Sequence, residues 1–215
     1  HGYSSAASDV YKRQTTGSAI YFMKHVLGNG SLLGLFSMMK MFPVIIALIF
    51  TPILVKKTGS MQKVNFWGYV ISDILGIFLI IFAMQKNLPM MLLFMFLKGT
   101  FAGTMSGTLN ALIAEISGYT YRTKGVHIDG MMFSCSSLGV KVGGGIGTAA
   151  VGWLLHAAGY AGKAATQTAA ATNMIFSMYI TIPVILGVVI TILLGLMKVE
   201  KENKRIDMER AEQAD

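Results

Sequence analysis

The sequence predicts an all-α fold, a polytopic bundle of membrane-crossing helices. Three observations predict it. The 215 residues are 53% hydrophobic and only 13% charged, where a soluble domain carries about 25% charged residues. The charges are not spread out but gathered into short segments between long apolar blocks. Several of those blocks reach the ~20 residues a helix needs to cross a ~30 Å hydrocarbon core. A soluble domain of this size has no way to enclose five such helices without polar faces to cover them.

In order along the chain, residues 1–14 (HGYSSAASDVYKRQ) are polar and aperiodic, and no apolar region follows a basic start as in a signal peptide. They are read as a non-family segment, a junction artefact in character, and left out of the fold. Residues 15–27 read as the tail of a helix, too short to span. Five full spans follow at about 31–55, 64–84, 88–114, 128–157 and 173–197. Turn and charge signals separate them: Gly28-Asn29-Gly30, Lys56-Lys57-Thr58-Gly59, and Lys86-Asn87-Leu88-Pro89. A polar loop is expected at 115–127 and a small, Ala/Thr-rich one at 158–172, and the charged tail, 201–215, reads as a short amphipathic or disordered segment.

Basic residues set the orientation. With the tail in the cytoplasm, its side of the membrane holds Lys56, Lys57, Lys63, Arg122, Lys124, Lys198, Lys201, Lys204 and Arg205, nine in all, against three (Lys24, Lys86 and Lys163) opposite. The bias alternates from loop to loop. The implied location is a cell (plasma or inner) membrane, multi-pass, with a cytoplasmic C-terminus.

Other function classes find little support. The net charge of +8 comes from residues at span ends, an orientation signal and not a phosphate footprint, so no nucleic-acid partner is expected. The single Cys135 excludes a disulfide framework and reads as a buried thiol acting as a small hydrophobe. The stretch Gly145-Ile146-Gly147-Thr148-Ala149-Ala150 matches a dinucleotide pattern, but no strand precedes it. His1, His25, His127 and His156 lack ligand spacing. No metal, no cofactor and no enzymatic constellation is expected.

The residues that do carry chemistry lie inside the spans. Lys141 falls 13 residues after Ile128, ~20 Å along the helix, where an ammonium costs ~3 kcal/mol unless it meets a partner or water. Ser134, Ser137 and Lys141 are spaced by three and four and form one polar stripe. Such a stripe suits a polyhydroxylated, uncharged solute; a structural ion pair is the alternative. Asp73 and Lys98 lie near mid-depth on adjacent antiparallel spans, placed to form an intramembrane ion pair, with cation binding the competing role. Gly99, Gly103 and Gly107, and again Gly139, Gly143 and Gly147, repeat every fourth residue. Each set makes a smooth face for close helix approach, for tight packing or for sliding.

The block HIDGMMFSCSSLGVKVGGGIGTAAVGWLLHAAGY, residues 127–160, resembles the eleventh-helix signature of the glycoside–pentoside–hexuronide:cation symporters, which include the melibiose permease and belong to the major facilitator superfamily. In that pattern an Ala-Asp pair ends the tenth helix, a Tyr-Gly-Glu-type loop follows, and an Arg and an acidic-Gly pair precede a Ser-rich helix with one Lys. Here Ala114-Glu115, Tyr119, His127, Asp129-Gly130 and Lys141 occupy those places, while Thr120 and Tyr121 depart from the loop Gly and Glu. The segments YFMKHVLG at 21–28 and PILVKKTG at 52–59 resemble the end of the family's seventh helix and its basic loop between helices eight and nine. The resemblance covers about 15–200.

What the resemblance implies is a second six-helix bundle with its first helix truncated, paired with an N-terminal six-helix bundle absent from this chain. The implied function is sugar (glycoside or oligosaccharide) uptake coupled to a cation, Na+ or H+, by alternating access. The cation carboxylates then lie mainly outside this segment. Lys141, Ser136 and Ser137 are implied near the sugar, with Ser134 on the same helix and Ser106 as a hydrogen-bonding contact; Tyr119, His127 and Asp129 form the gating loop. The implied partners are the sugar, membrane lipid and the missing bundle. Two other readings stay open: a major facilitator transporter of a non-sugar substrate, and a non-transporting membrane scaffold subunit.

Overall fold

The computed structural model describes residues 15–164 and 166–212. The expectation for residues 1–14, and the end of the tail, lie outside the described residues. The chain folds as α1 (15–25), α2 (Leu32–Thr58), α3 (Met61–Met84), α4 (Leu88–Ala102), α5 (Thr104–Lys124), α6 (Asp129–Ala157), α7 (Ala169–Phe176), a π turn over Ser177–Thr181, α8 (Ile182–Leu196) and α9 (Val199–Glu212). No strand occurs among the described residues. Among the described residues, five helical stretches are long and apolar enough to cross a membrane: Leu32–Thr58, Met61–Met84, Leu88–Lys124, Asp129–Ala157 and Ala169–Glu209.

Local chemistry explains the boundaries. Gly59 ends α2 and Gly125 ends α5, both left-handed with φ of 64° and 70°, a conformation glycine adopts without a Cβ penalty. Ser60 and Asn87 cap α3 and α4, their side-chain oxygens accepting from the amides of Lys63 and Met90. The polar loop expected at 115–127 is instead helical through Lys124. Nothing in ISGYTYRTK breaks a helix before Gly125, and its polarity reflects packing against α9 beyond the apolar layer. The charged tail, read as a short amphipathic or disordered segment, is helical over Val199–Glu212 as α9, held to the bundle by buried Glu200 and Asn203. Cys135 is exposed on α6 rather than buried, because the first half of that helix packs against little.

Two apolar clusters form the core. The larger gathers Phe22 and Met23 of α1 with Phe36, Leu79, Met91, Leu155, Ile175 and Met178. The smaller joins Tyr69, Met105, Ile190 and Leu194. α1 is a central element, with Phe22 and Met23 fully buried. Asn65 Nδ2 donates to Thr108 Oγ1 at 2.6 Å and ties α3 to α5 in the interior.

The glycines at 99, 103 and 107 form the face on which α2 lies. A Cβ at Gly99 would sit 3.1 Å from Pro43 Cβ, and one at Gly107 3.3 Å from Leu48 Cδ2. At Gly103 it would stand 2.7 Å from Ala47 Cβ, closer than packed carbons tolerate. The same glycine marks the break between α4 and α5. In the second set, Gly143 and Gly147 are buried.

Gly103→Ala is therefore expected to destabilise the bundle by about 1–3 kcal/mol through overpacking. Gly145→Ala, with nothing within 4 Å of its Cβ, is expected to leave the midpoint of thermal unfolding in detergent unchanged or slightly raised.

Candidate functional site

Between α1 to α6, the π segment and the start of α8 lies a cavity of about 370 Å³. Its polar lining comes from Thr15, Thr16, Lys40, Lys98, Tyr69, Tyr179 and Ser106, and its apolar walls include Val44, Met95 and Val140. Each side chain is placed by a local feature. The glycine face brings α2 onto α4 and sets Lys40 of α2 on the same cavity as Lys98 of α4. Pro183 has no N–H to continue the ladder, and the turn before it opens into the π segment Ser177–Thr181. That segment turns Tyr179 inward, where its ring stacks on Phe22 with centroids 4.6 Å apart. Lys40 Nζ lies 5.4 Å from the Tyr179 ring centroid, a cation–π contact.

A polar layer adjoins the cavity between the two apolar clusters. Lys98 is buried and its Nζ donates to Ser72 Oγ at 3.3 Å. Asp73, next in sequence, is also buried, and its Oδ2 accepts from Thr191 Oγ1 at 2.6 Å. Gly187 lies one turn before Thr191, and a Cβ there would collide with Asp73 Oδ1. Asp73 and Lys98, expected from their depths to pair, attract one another across this layer. The two groups share a layer, but Asp73 reaches α8 across the groove at Gly187 while Lys98 meets the neighbouring serine.

The α6 candidates sit apart from this cavity. Ser134, Ser137 and Lys141 are exposed along one face of α6, and Ser136 is half-buried. Lys141 lines a shallow groove with Gly144, Gly145 and Thr148, and Val140 separates that groove from the main cavity. Of the serines named from the sequence, Ser106 is the one on the main cavity. At the other end of α6, His127 and Asp129 come together, Nδ1 to Oδ2 at 3.8 Å. The tyrosine that meets His127 is Tyr121, stacked at 4.0 Å between centroids; Tyr119 is half-buried on α5. Asp129 opens α6, where a carboxylate is favoured by the helix dipole.

Lys40 is absent from the sequence-based candidates. Its signal is the one that marks Lys141: it is the one charge in α2 before the terminal Lys56 and Lys57.

A model for MFS/sugar transport proteins matches residues 14–201 of the chain. The chain belongs to that family. Among curated relatives it is 26% identical over 174 residues to an uncharacterized protein of Pseudescherichia vulneris, covering 80% of this chain and 62% of the relative. It is 27% identical over 182 residues to an isoprimeverose transporter of Lactiplantibacillus pentosus (85% of this chain, 37% of the relative). A protein of Escherichia coli K12 named as a glycoside/cation symporter is 24% identical over 205 residues (93% and 44%). No solved structure gives a match. The family match, with these last two relatives, bears out the glycoside–pentoside–hexuronide symporter resemblance read in residues 127–160. The chain spans less than two thirds of the length of each of these relatives. It is a multi-pass membrane protein of the major facilitator superfamily.

Removing the α8 hydroxyl from the polar layer tests that layer directly. Thr191→Val is expected to cost about 1–3 kcal/mol, since a buried carboxylate loses its donor, and Thr191→Ser to restore most of it. Thermal unfolding of the purified variants reads both.

Proposed function

We propose that this chain forms one helical bundle of a cation-coupled sugar transporter, with the solute path running along the Lys40/Lys98 cavity and the exposed face of α6. The observation that carries the proposal is the cavity: two ammonium groups, two tyrosines, two threonines and a serine line one space. A sugar presents many hydroxyls and an apolar ring face. Ammonium and hydroxyl groups supply hydrogen bonds to the former, and the aromatic ring of Tyr179 offers a surface for the latter.

Placing a cation inside an apolar span is unfavourable by ~3 kcal/mol or more, and the ring face of Tyr179 offsets part of that for Lys40. Its retention is explained if solute and water reach it. Lys141, with Ser134 and Ser137, is exposed at mid-span. In this reading that face looks toward the second bundle across the transport path, and alternating access rocks the two bundles about the site between them. The coupling ion, Na+ or H+, then binds mainly in the other bundle. The charged α9 end lies in the cytoplasm, following the distribution of basic residues.

In the complete transporter, Lys40→Met and Lys141→Met are each expected to lower cation-driven uptake of a labelled glycoside at least tenfold with surface expression unchanged. Lys163→Met, in an exposed loop, serves as the control. Undiminished accumulation in both variants overturns the placement of the path. Failure of any glycoside to accumulate in the unmodified protein overturns the sugar assignment itself.

A further inference from the structure

At the end of the bundle where α9 begins, a groove of about 570 Å³ opens between the first turn of α3 and the junction of α8 with α9. Lys63, Lys198, Lys201 and Lys204 line it. Among the described residues lining it, Glu200 is the only acid, and its carboxylate is already engaged. Oε2 accepts from Ser60 Oγ at 3.0 Å and from the Gln62 amide at 2.9 Å, and Oε1 pairs with Lys204 at 3.3 Å. Lys63, Lys198 and Lys201 are exposed, and no carboxylate among the described residues lies within 4.0 Å of their ammonium groups.

The groove changes character with depth. Phe66 and Gly195 form its apolar floor, and a Cβ on Gly195 would stand 3.2 Å from Phe66 Cε2. Beside this floor the surface is greasy: Trp67, Ile192 and Leu196 are 60%, 57% and 71% exposed. Trp67 packs edge-on against Phe66, centroids 5.7 Å apart. An exposed tryptophan beside a row of lysines is the chemistry of a membrane–water interface. The site is therefore cationic at the water level and apolar one turn deeper, the shape of an amphiphile's demand.

We propose that this groove binds the headgroup of an anionic phospholipid, with the phosphate held by Lys63, Lys198 and Lys201 and the acyl chains lying over Trp67, Ile192 and Leu196. Three unpartnered ammonium groups around one concavity repel one another, and a phosphate relieves that repulsion. Because the groove is built from α3, α8 and α9 together, an occupied site clamps α9 onto the bundle. The apolar approach distinguishes a lipid from free phosphate, whose binding would gain nothing from Trp67 or Leu196. This assignment is independent of the transported solute.

The test uses the full-length protein carrying this chain, purified in detergent and heated with phosphatidylglycerol, with phosphatidylcholine or with inorganic phosphate. Phosphatidylglycerol is expected to raise the unfolding temperature well above the other two. Replacing Lys63, Lys198 and Lys201 by Ala is expected to weaken the apparent lipid affinity about fivefold per lysine, while Lys163→Ala leaves it unchanged. Equal stabilisation by phosphatidylcholine or by phosphate overturns the proposal, as does a triple variant that keeps the full shift. Should the triple variant not fold, native mass spectrometry of the unmodified protein decides: preferential retention of phosphatidylglycerol against excess phosphate supports the site, and equal retention of phosphatidylcholine removes it.

Discussion

The close approach of α2 to α4 and α5 is the constraint on which the rest of the bundle depends. In a bilayer the hydrophobic effect gives helices no reason to prefer one another over lipid, so association rests on packing and polar contacts. Gly99, Gly103 and Gly107 let the backbone of one helix pair meet Pro43, Ala47 and Thr51 of the other at van der Waals distance. That contact fixes the rotation of α2. Rotation in turn decides that Lys40 faces inward, toward Tyr179 and the cavity it shares with Lys98. A bulkier side chain at 103 would push α2 outward and move Lys40 with it. Packing and site geometry are thus one variable, not two.

The polar layer solves a second problem, that of buried charge. A carboxylate and an ammonium taken out of water are each costly, and their simplest solution is a direct pair. Here the two charges are also tied over three helices: Asp73 of α3 leans into the gap left by Gly187 of α8 and takes the Thr191 hydroxyl, and Lys98 of α4 reaches Ser72. The arrangement ties α3 to both of its neighbours. It also leaves Lys98 on the cavity wall.

Much of this architecture was legible in the sequence because the bilayer imposes a length and a polarity that composition records directly. The apolar blocks, the glycines spaced by four and the mid-span lysine were all visible as patterns on single helices. What was not legible is whatever depends on which helix faces which. Asp73 and Lys98 sit at matching depths, yet Gly187 and Thr191, more than a hundred residues later, decide where the carboxylate goes. Lys40 carried a readable signal, an isolated charge in an apolar span. Its significance appears only once the π turn ahead of Pro183 places a tyrosine beside it. The segment 115–124 misleads for a different reason: polar composition marks where the apolar layer ends, not where the helix ends, and only Gly125 marks the latter.

The two halves of α6 bring these threads together. From Gly143 onward the helix buries glycines, Val151 and Leu155 against the bundle, whereas residues 129–142 bury nothing. That first half carries Ser134, Ser137 and Lys141 on one side and Met131, Leu138 and Val142, all exposed, elsewhere on its surface. Lipid satisfies the apolar residues but not the ammonium, whose exposure to hydrocarbon costs ~3 kcal/mol or more. A helix with both kinds of exposed residue at one depth needs two different environments around it. Lipid supplies one; water, solute or further polypeptide beyond the described residues must supply the other. The exposure of Lys141 therefore calls for a polar environment on the face of α6 that Ser134 and Ser137 share.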